Sequence, residues 1–147
     1  MRISTKGDYG LRAMIELAHH FGEPRPVQNS EIASRQKIPE SYLEQLLTTL
    51  RRAGFIRSVR GPQGGHALIR EPSSLRVTEV IEALEGSIMP ADCLDDGGAC
   101  ARNGGCAQSE MWRDVRDVIL GVLDNTSVAD LARRDRALQP AGTRYVI

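Results

Sequence analysis

Residues 39–70 read PESYLEQLLTTLRRAGFIRSVRGPQGGHALIR, and their order decides the fold. Leu43, Leu46, Leu47 and Leu50 recur at three- and four-residue spacing, which gathers them on one face of a helix. Pro39 sits near the first turn, where its missing N–H costs nothing, and Gly54 is a natural stop at the other end. Two short β-prone runs follow, FIRSVR and HALIR, around GPQGG; glycine and proline there predict a turn between antiparallel strands.

Upstream, Leu11, Met14, Ile15, Ala18 and Phe21 form one apolar face of a helix spanning Thr5 to Phe21, with Thr5 and Asp8 as its capping box. GEPRPVQ is a connector, and Asn29 or Ser30 caps a short helix, EIASRQK. Downstream, Thr78 caps a helix through Leu84, and residues 85–108 form a loop rich in Gly, Asp and Cys. A long helix from Ser109 to Leu123 carries Trp112, Val115, Val118, Ile119, Val122 and Leu123 on a broad apolar stripe, and Ser127 caps a last helix, VADLARR. Helix, helix, turn, helix, hairpin is the order of a winged helix-turn-helix. The expected fold is therefore mainly α with a small β-hairpin wing and a long C-terminal dimerisation helix. The expected division is 1–72 for the DNA-binding region, 73–136 for the linker helix, cysteine loop and dimerisation helices, and 137–147 for a flexible tail.

In that fold the second core helix enters the major groove. Its apolar face leaves Ser41, Tyr42, Glu44, Gln45 and Thr48 pointing outward. Gln can bond adenine, Glu can accept from cytosine, and Ser and Tyr can bond phosphate. Arg60 stands beside Gly61 on a slim turn suited to a narrow minor groove. The formal net charge of zero hides an asymmetry: residues 1–72 carry 11 Lys and Arg against 7 Asp and Glu, and residues 73–147 carry 8 against 12. No acid lies between Glu44 and Glu71, whereas Arg51, Arg52, Arg57, Arg60 and Arg70 all do. Such a stretch attracts phosphate. His66, on the second strand, reads as an exposed strand residue, and His19 and His20 as complements of the first helix dipole.

Six residues separate Cys93 from Cys100 and five separate Cys100 from Cys106, in a loop that also holds Gly97, Gly98, Gly104 and Gly105. Three thiols without a secretory leader point to metal or redox chemistry rather than structural disulfides. An iron–sulfur cluster, a bare redox switch and a zinc site all fit the spacing, although it is not the paired arrangement of a zinc ribbon.

The run PESYLEQLLTTLRRAGFIRSVRGPQGGHAL closely resembles the corresponding part of the IscR and NsrR type of winged-helix regulators. The resemblance extends from RISTKGDYGLRAM to MWRDVRDVILGVLDNTSVADL. It implies a homodimer paired through the long helix, binding double-stranded DNA at a palindromic operator and expected to repress. It also implies operator contacts from Ser41, Tyr42, Glu44, Gln45, Arg60 and Gly61. His66 stands where Tyr is more usual. For the cysteines the resemblance implies an iron–sulfur cluster, [2Fe–2S] or [4Fe–4S], on Cys93, Cys100 and Cys106. Some members use a ligating His three residues after the last cysteine, where this chain has Ser109. Others use an Asp near the N-terminus of the partner subunit, a place that Asp8 occupies here. The resulting expectation is a regulator sensing iron–sulfur status, redox state or nitric oxide. The alternative is control by a small ligand or partner, with redox thiols or zinc at the cysteines. An electron carrier would need no reading helix or basic wing, and no nucleophile–base pair, phosphate loop or metal-hydrolase motif suggests an enzyme. No apolar run approaches a membrane span and no leader is recognised, so a cytoplasmic location is expected.

Overall fold

The computed structural model describes residues 2–95, 102 and 105–140. Helices α1 (Thr5–His19), α2 (Asn29–Gln36) and α3 (Glu40–Arg52) precede strands β1 (Ile56–Val59) and β2 (Gly65–Leu68). Helices α4 (Val77–Glu85), α5 (Ala107–Asp124) and α6 (Val128–Leu138) complete the order. The strands pair antiparallel, with Ile56 opposite Leu68 and Val59 opposite Gly65. This is the mainly helical, winged architecture expected from residues 39–70.

The leucines of α3 explain why it holds its place. Leu43, Leu46, Leu47 and Leu50 are all buried, against Met14 and Leu17 of α1, Ile32 of α2 and Phe55 before the wing. Leu75, Val80, Leu84 and Val128 close the same core from the C-terminal side. Each leucine side chain taken from water contributes roughly 1.5–3 kcal/mol, so α3 is fixed by burial. Gly54, at φ 84°, ends it in the left-handed region as expected.

Several helix ends differ from the sequence expectation, because distant side chains supply the caps. Ser4, not the Thr5–Asp8 pair, caps α1, and the main anchor is Glu85 at the end of α4. Its carboxylate accepts the N–H groups of Ser4 and Gly7, each at 2.9 Å, and the Ser4 hydroxyl at 2.6 Å. An anion there complements the positive end of the helix. Gly7 makes room for it, since a Cβ would lie 2.2 Å from Glu85 Oε1. Asp8 is left to pair with Arg12 one turn on, at 2.9 Å. Helix α2 is capped by Gln28 rather than Asn29 or Ser30; its N–H is accepted by Glu31 at 3.0 Å. Arg25 grips the same carboxylate through its two terminal guanidinium nitrogens, and chiefly that hydrogen bonding pushes the Glu31 pKa down to about 2. Helix α4 starts at Val77, and Thr78, inside its first turn, donates to Asp124 of α5 instead of capping. Ser127 does cap α6, which runs to Leu138 and takes up the first residues of the expected tail; residues 141–147 lie outside the described ones.

Phe21 lies past the end of α1 and is exposed, while Ala13 and Leu17 fill the face assigned to it. The two histidines next to it are engaged by side chains. His19 Nε2 lies 2.7 Å from Asp135 of α6. His20 joins Arg35 and Gln36 around the fully buried Glu16, at 3.1, 3.0 and 2.9 Å. A buried carboxylate persists only when paired in this way, and the cluster locks α1 to α2.

Candidate functional site

The burial that fixes α3 turns its opposite face outward. Ser41, Glu44 and Gln45 are exposed there, with Thr48 half-buried beside them. The hydroxyls of Thr48 and Thr49 donate back to the Glu44 and Gln45 carbonyls, at 2.9 and 3.1 Å. Tyr42 is placed differently from its neighbours. Its ring is half-buried and meets Tyr9 of α1 edge-on, centroids 5.9 Å apart.

The wing turn is tight because of its glycines. A Cβ on Gly64 would sit 2.1 Å from the Val59 carbonyl oxygen, and Gly61 takes φ 105°. Arg60 and Gly61 are exposed at this tip. Of the basic stretch, Arg51, Arg52, Arg57 and Arg60 are exposed. Arg70 is drawn away to Glu79 at 2.9 Å and the Ser74 carbonyl at 2.8 Å. A cleft of about 250 Å³ lies between α3 and the wing: Glu44, Thr48 and Arg51 of α3 line it together with Ser58 and His66 of the wing and Asn29 of α2.

His66 is not the exposed strand residue expected. It is half-buried, with Nδ1 2.8 Å from Ser58 Oγ and Nε2 2.6 Å from Asn29 Oδ1. Burial first, and the Arg51 charge second, lower its pKa and favour the neutral ring. Asn29 lies 37 residues away along the chain, so no local pattern announces the contact.

Two of the three cysteines, Cys93 and Cys106, fall among the described residues. Cys93 is exposed on a single turn, Asp92–Leu94, and Cys106 immediately precedes α5 as its N-cap. The N–H of Ser109 above all, with that of Gln108 and the nearby Arg102, holds the Cys106 thiol below its ordinary pKa. A helix N-terminus favours the thiolate, which is the metal-binding and the reactive form. Cys100 lies outside the described residues. By donor type Cys93 and Cys106 suit iron or zinc, but the described residues contain no group of three or more His, Cys, Asp or Glu placed to hold a metal ion. Among the described residues, Asp8 forms no metal-holding group with Cys93 and Cys106. It lines a cavity with Val77, Ile81 and Leu123, by the C-terminal end of α5, whereas Cys106 begins that helix. Eighteen helical residues separate those ends, roughly 27 Å.

The family described as "Rrf2: Iron-dependent Transcriptional regulator" matches residues 3–134. The chain is 41% identical over 146 residues to the HTH-type transcriptional regulator CymR of Bacillus subtilis, covering 99% of this chain and 100% of that one. It is 38% identical over 145 residues to the HTH-type transcriptional regulator IscR of Escherichia coli, covering 99% and 88%. The solved structure of CymR, the global cysteine regulator of B. subtilis, superposes with a TM-score of 0.79 at 40% identity, covering 91% of this chain and 98% of that one. That of T. potens IscR gives 0.75 at 40% identity, covering 97% and 94%. These relatives are regulators rather than enzymes, and no described helix is long and apolar enough to cross a membrane.

Proposed function

The chain belongs to the Rrf2 family and is a DNA-binding transcriptional regulator, and we propose that it works as a homodimer on a palindromic operator, its affinity set by the thiols before α5. The observation that carries the DNA reading is the exposed polar face of α3, sharing a cleft with the basic wing. Ser41, Glu44 and Gln45 read base edges or phosphates, and Arg60 with Gly61 enters the adjacent minor groove. Tyr42 reaches the duplex with its hydroxyl while its ring braces α1. The reading region spans 1–72 and the pairing and signalling region 73–136, with 137–147 as a tail, in a cytoplasmic protein.

For the signal, thiol chemistry is the reading that the described residues support. The Ser109 N–H and its neighbours lower the Cys106 pKa, and Cys93 is open to solvent. Oxidation of a thiol to the sulfenic acid by a peroxide, which is reduced to water, would change the segment between α4 and α5, and through it the spacing of two reading heads. The likeness to the cysteine regulator CymR favours sulfur chemistry as the subject of control. A second reading, an iron–sulfur cluster, is favoured by the family description and by the IscR relatives. Cys93, Cys100 and Cys106 would then hold a [2Fe–2S] or [4Fe–4S] cluster, and Asp8, lying at the opposite end of α5, would complete it only from the partner copy. Such a cluster supplies reversible redox chemistry when bound.

One experiment tests the whole reading. Protein purified anaerobically is offered a random-sequence duplex pool, then analysed for iron and acid-labile sulfide. Recovery of an inverted repeat with half-sites about one helical turn, or a small multiple, apart is expected. DNA affinity is expected to change on oxidation and to stop responding when Cys93, Cys100 and Cys106 are all replaced by Ser. Iron and sulfide near one cluster per subunit would establish the second reading, and their absence with the response intact the first. A pool without any enriched sequence would remove operator reading altogether.

A further inference from the structure

The wing is joined to the helical body through the start of α2, and His66 is the centre of that joint. Its backbone pairs with Val27, the N–H donating to the Val27 carbonyl at 2.8 Å and the His66 carbonyl accepting the Val27 N–H at 2.9 Å. The preceding Gly65 permits this approach, since a Cβ there would lie 2.3 Å from the Val27 carbonyl oxygen. The ring then spans two elements. Nδ1 accepts from the hydroxyl of Ser58 on β1, and Nε2–H donates to Asn29 Oδ1 in the first turn of α2. One neutral tautomer satisfies both bonds. Gln28 adds a third tie, its amide donating to the Pro62 carbonyl in the wing turn at 3.2 Å. The ring lines the cleft whose opposite wall carries Glu44, Thr48 and Arg51 of α3. It therefore touches wing and α2 while bordering the reading helix.

We propose that His66 is a positioning residue for DNA reading: by bridging Ser58 and Asn29 it fixes the angle of the wing to α3 and so aims Arg60 at the duplex. Ile56 and Leu68 anchor the base of the hairpin in the core, and the Val27 backbone pair ties its second strand to the start of α2. The His66 ring adds the side-chain link between β1 and α2, and a wing aimed in advance loses less freedom on binding. The proposal rests on the reading of DNA by α3 and the wing.

The test is a double-mutant cycle between His66→Ala and Arg60→Ala, read as affinity for a duplex recovered from the random pool by the wild-type protein. Arg60→Ala is expected to lower the slope of log affinity on log salt by about one unit. His66→Ala is expected to weaken binding about tenfold, the worth of a buried hydrogen-bonded link. It is expected to have a clearly smaller effect in the Arg60→Ala background, because the wing has then lost the charged contact that His66 aims. His66→Gln, which keeps a donor and an acceptor, recovers most of the loss; Asn29→Ala reproduces it. Far-UV circular dichroism and thermal melts of each variant exclude unfolding as the cause. Fully additive losses, or no loss in a folded His66→Ala protein while Arg60→Ala binds weakly, would overturn the positioning role. Arg60→Ala binding like wild type would instead remove the wing from DNA reading, and the role of His66 with it.

Discussion

Helices α3 and α5 both carry an apolar stripe, yet α3 buries all four of its leucines and α5 buries none of its 18 residues. Among the described residues of one copy, α5 meets α4 and the turn at Asp92–Leu94, with Leu120 and Leu123 beside Val77, Ile81 and Ile88 and Asp124 accepting from Thr78. Met111, Val118 and Val122 stay 50, 69 and 62% exposed. The comparison separates two kinds of amphipathic helix. The first is completed by its own chain and leaves a polar face free, the face proposed to read DNA; the second leaves an apolar face exposed, the face that a second copy covers in the proposed homodimer. A reading head can be rigid alone, whereas in the proposed dimer the spacing between two heads would be set through α5.

The sharpest way to break this comparison is to charge the outer face of α5. Val118→Asp with Val122→Asp is expected to convert the dimer to a folded monomer, since both positions face solvent in one copy. Operator affinity should fall by about 10²–10⁴-fold as the second head is lost. Analytical ultracentrifugation and binding to half-site and full-site duplexes check this. A variant that remains dimeric would move the interface away from this face.

The same contrast decides what the residues reveal unaided. The leucine spacing of α3, the glycines of the wing and the stripe on α5 are periodic, so element type and order were legible. Caps supplied from a distance were not. Glu85 closes α1 across 78 to 81 residues, and the bridge from His66 to Asn29 spans 37. Asp8 matched a capping pattern only because sequence cannot show that a better anion arrives from α4. At the candidate site, the outward positions of Ser41, Glu44, Gln45 and Arg60 followed from helix and turn geometry. The half-burial of Tyr42 did not, because its partner Tyr9 lies on another helix.

A core substitution in α3 sharpens the comparison from the other side. Leu46→Ala removes a side chain that is 1% exposed, and the cavity is expected to cost about 2–5 kcal/mol. Urea denaturation of the monomeric α5 variant, with and without Leu46→Ala, measures the loss without the dimer contribution. If Leu46→Ala were nearly neutral there, the reading head would not be the self-contained unit its burial describes.

The smallest effect lies at the start of α2, where Arg25 grips Glu31 at the surface. The Glu31 pKa is about 2 in the folded chain, against an ordinary value of 4.5. The folded state thus binds this proton less readily than the unfolded state. The resulting stability is fully present above pH 4.5, and it is lost as the pH falls towards 2. Glu31→Gln keeps the shape and an acceptor for the Gln28 N–H but removes the charge. Because the side chain of Arg25 is 45% exposed, solvent screening limits the cost to about 1 kcal/mol at pH 7. Urea denaturation at pH 7 and at pH 3 is expected to show the wild-type advantage shrinking to less than half at about pH 3. An advantage that did not change with pH would place the contribution of Glu31 in packing rather than charge, and the entry to α2, from which Asn29 reaches the wing, would then be held by shape alone.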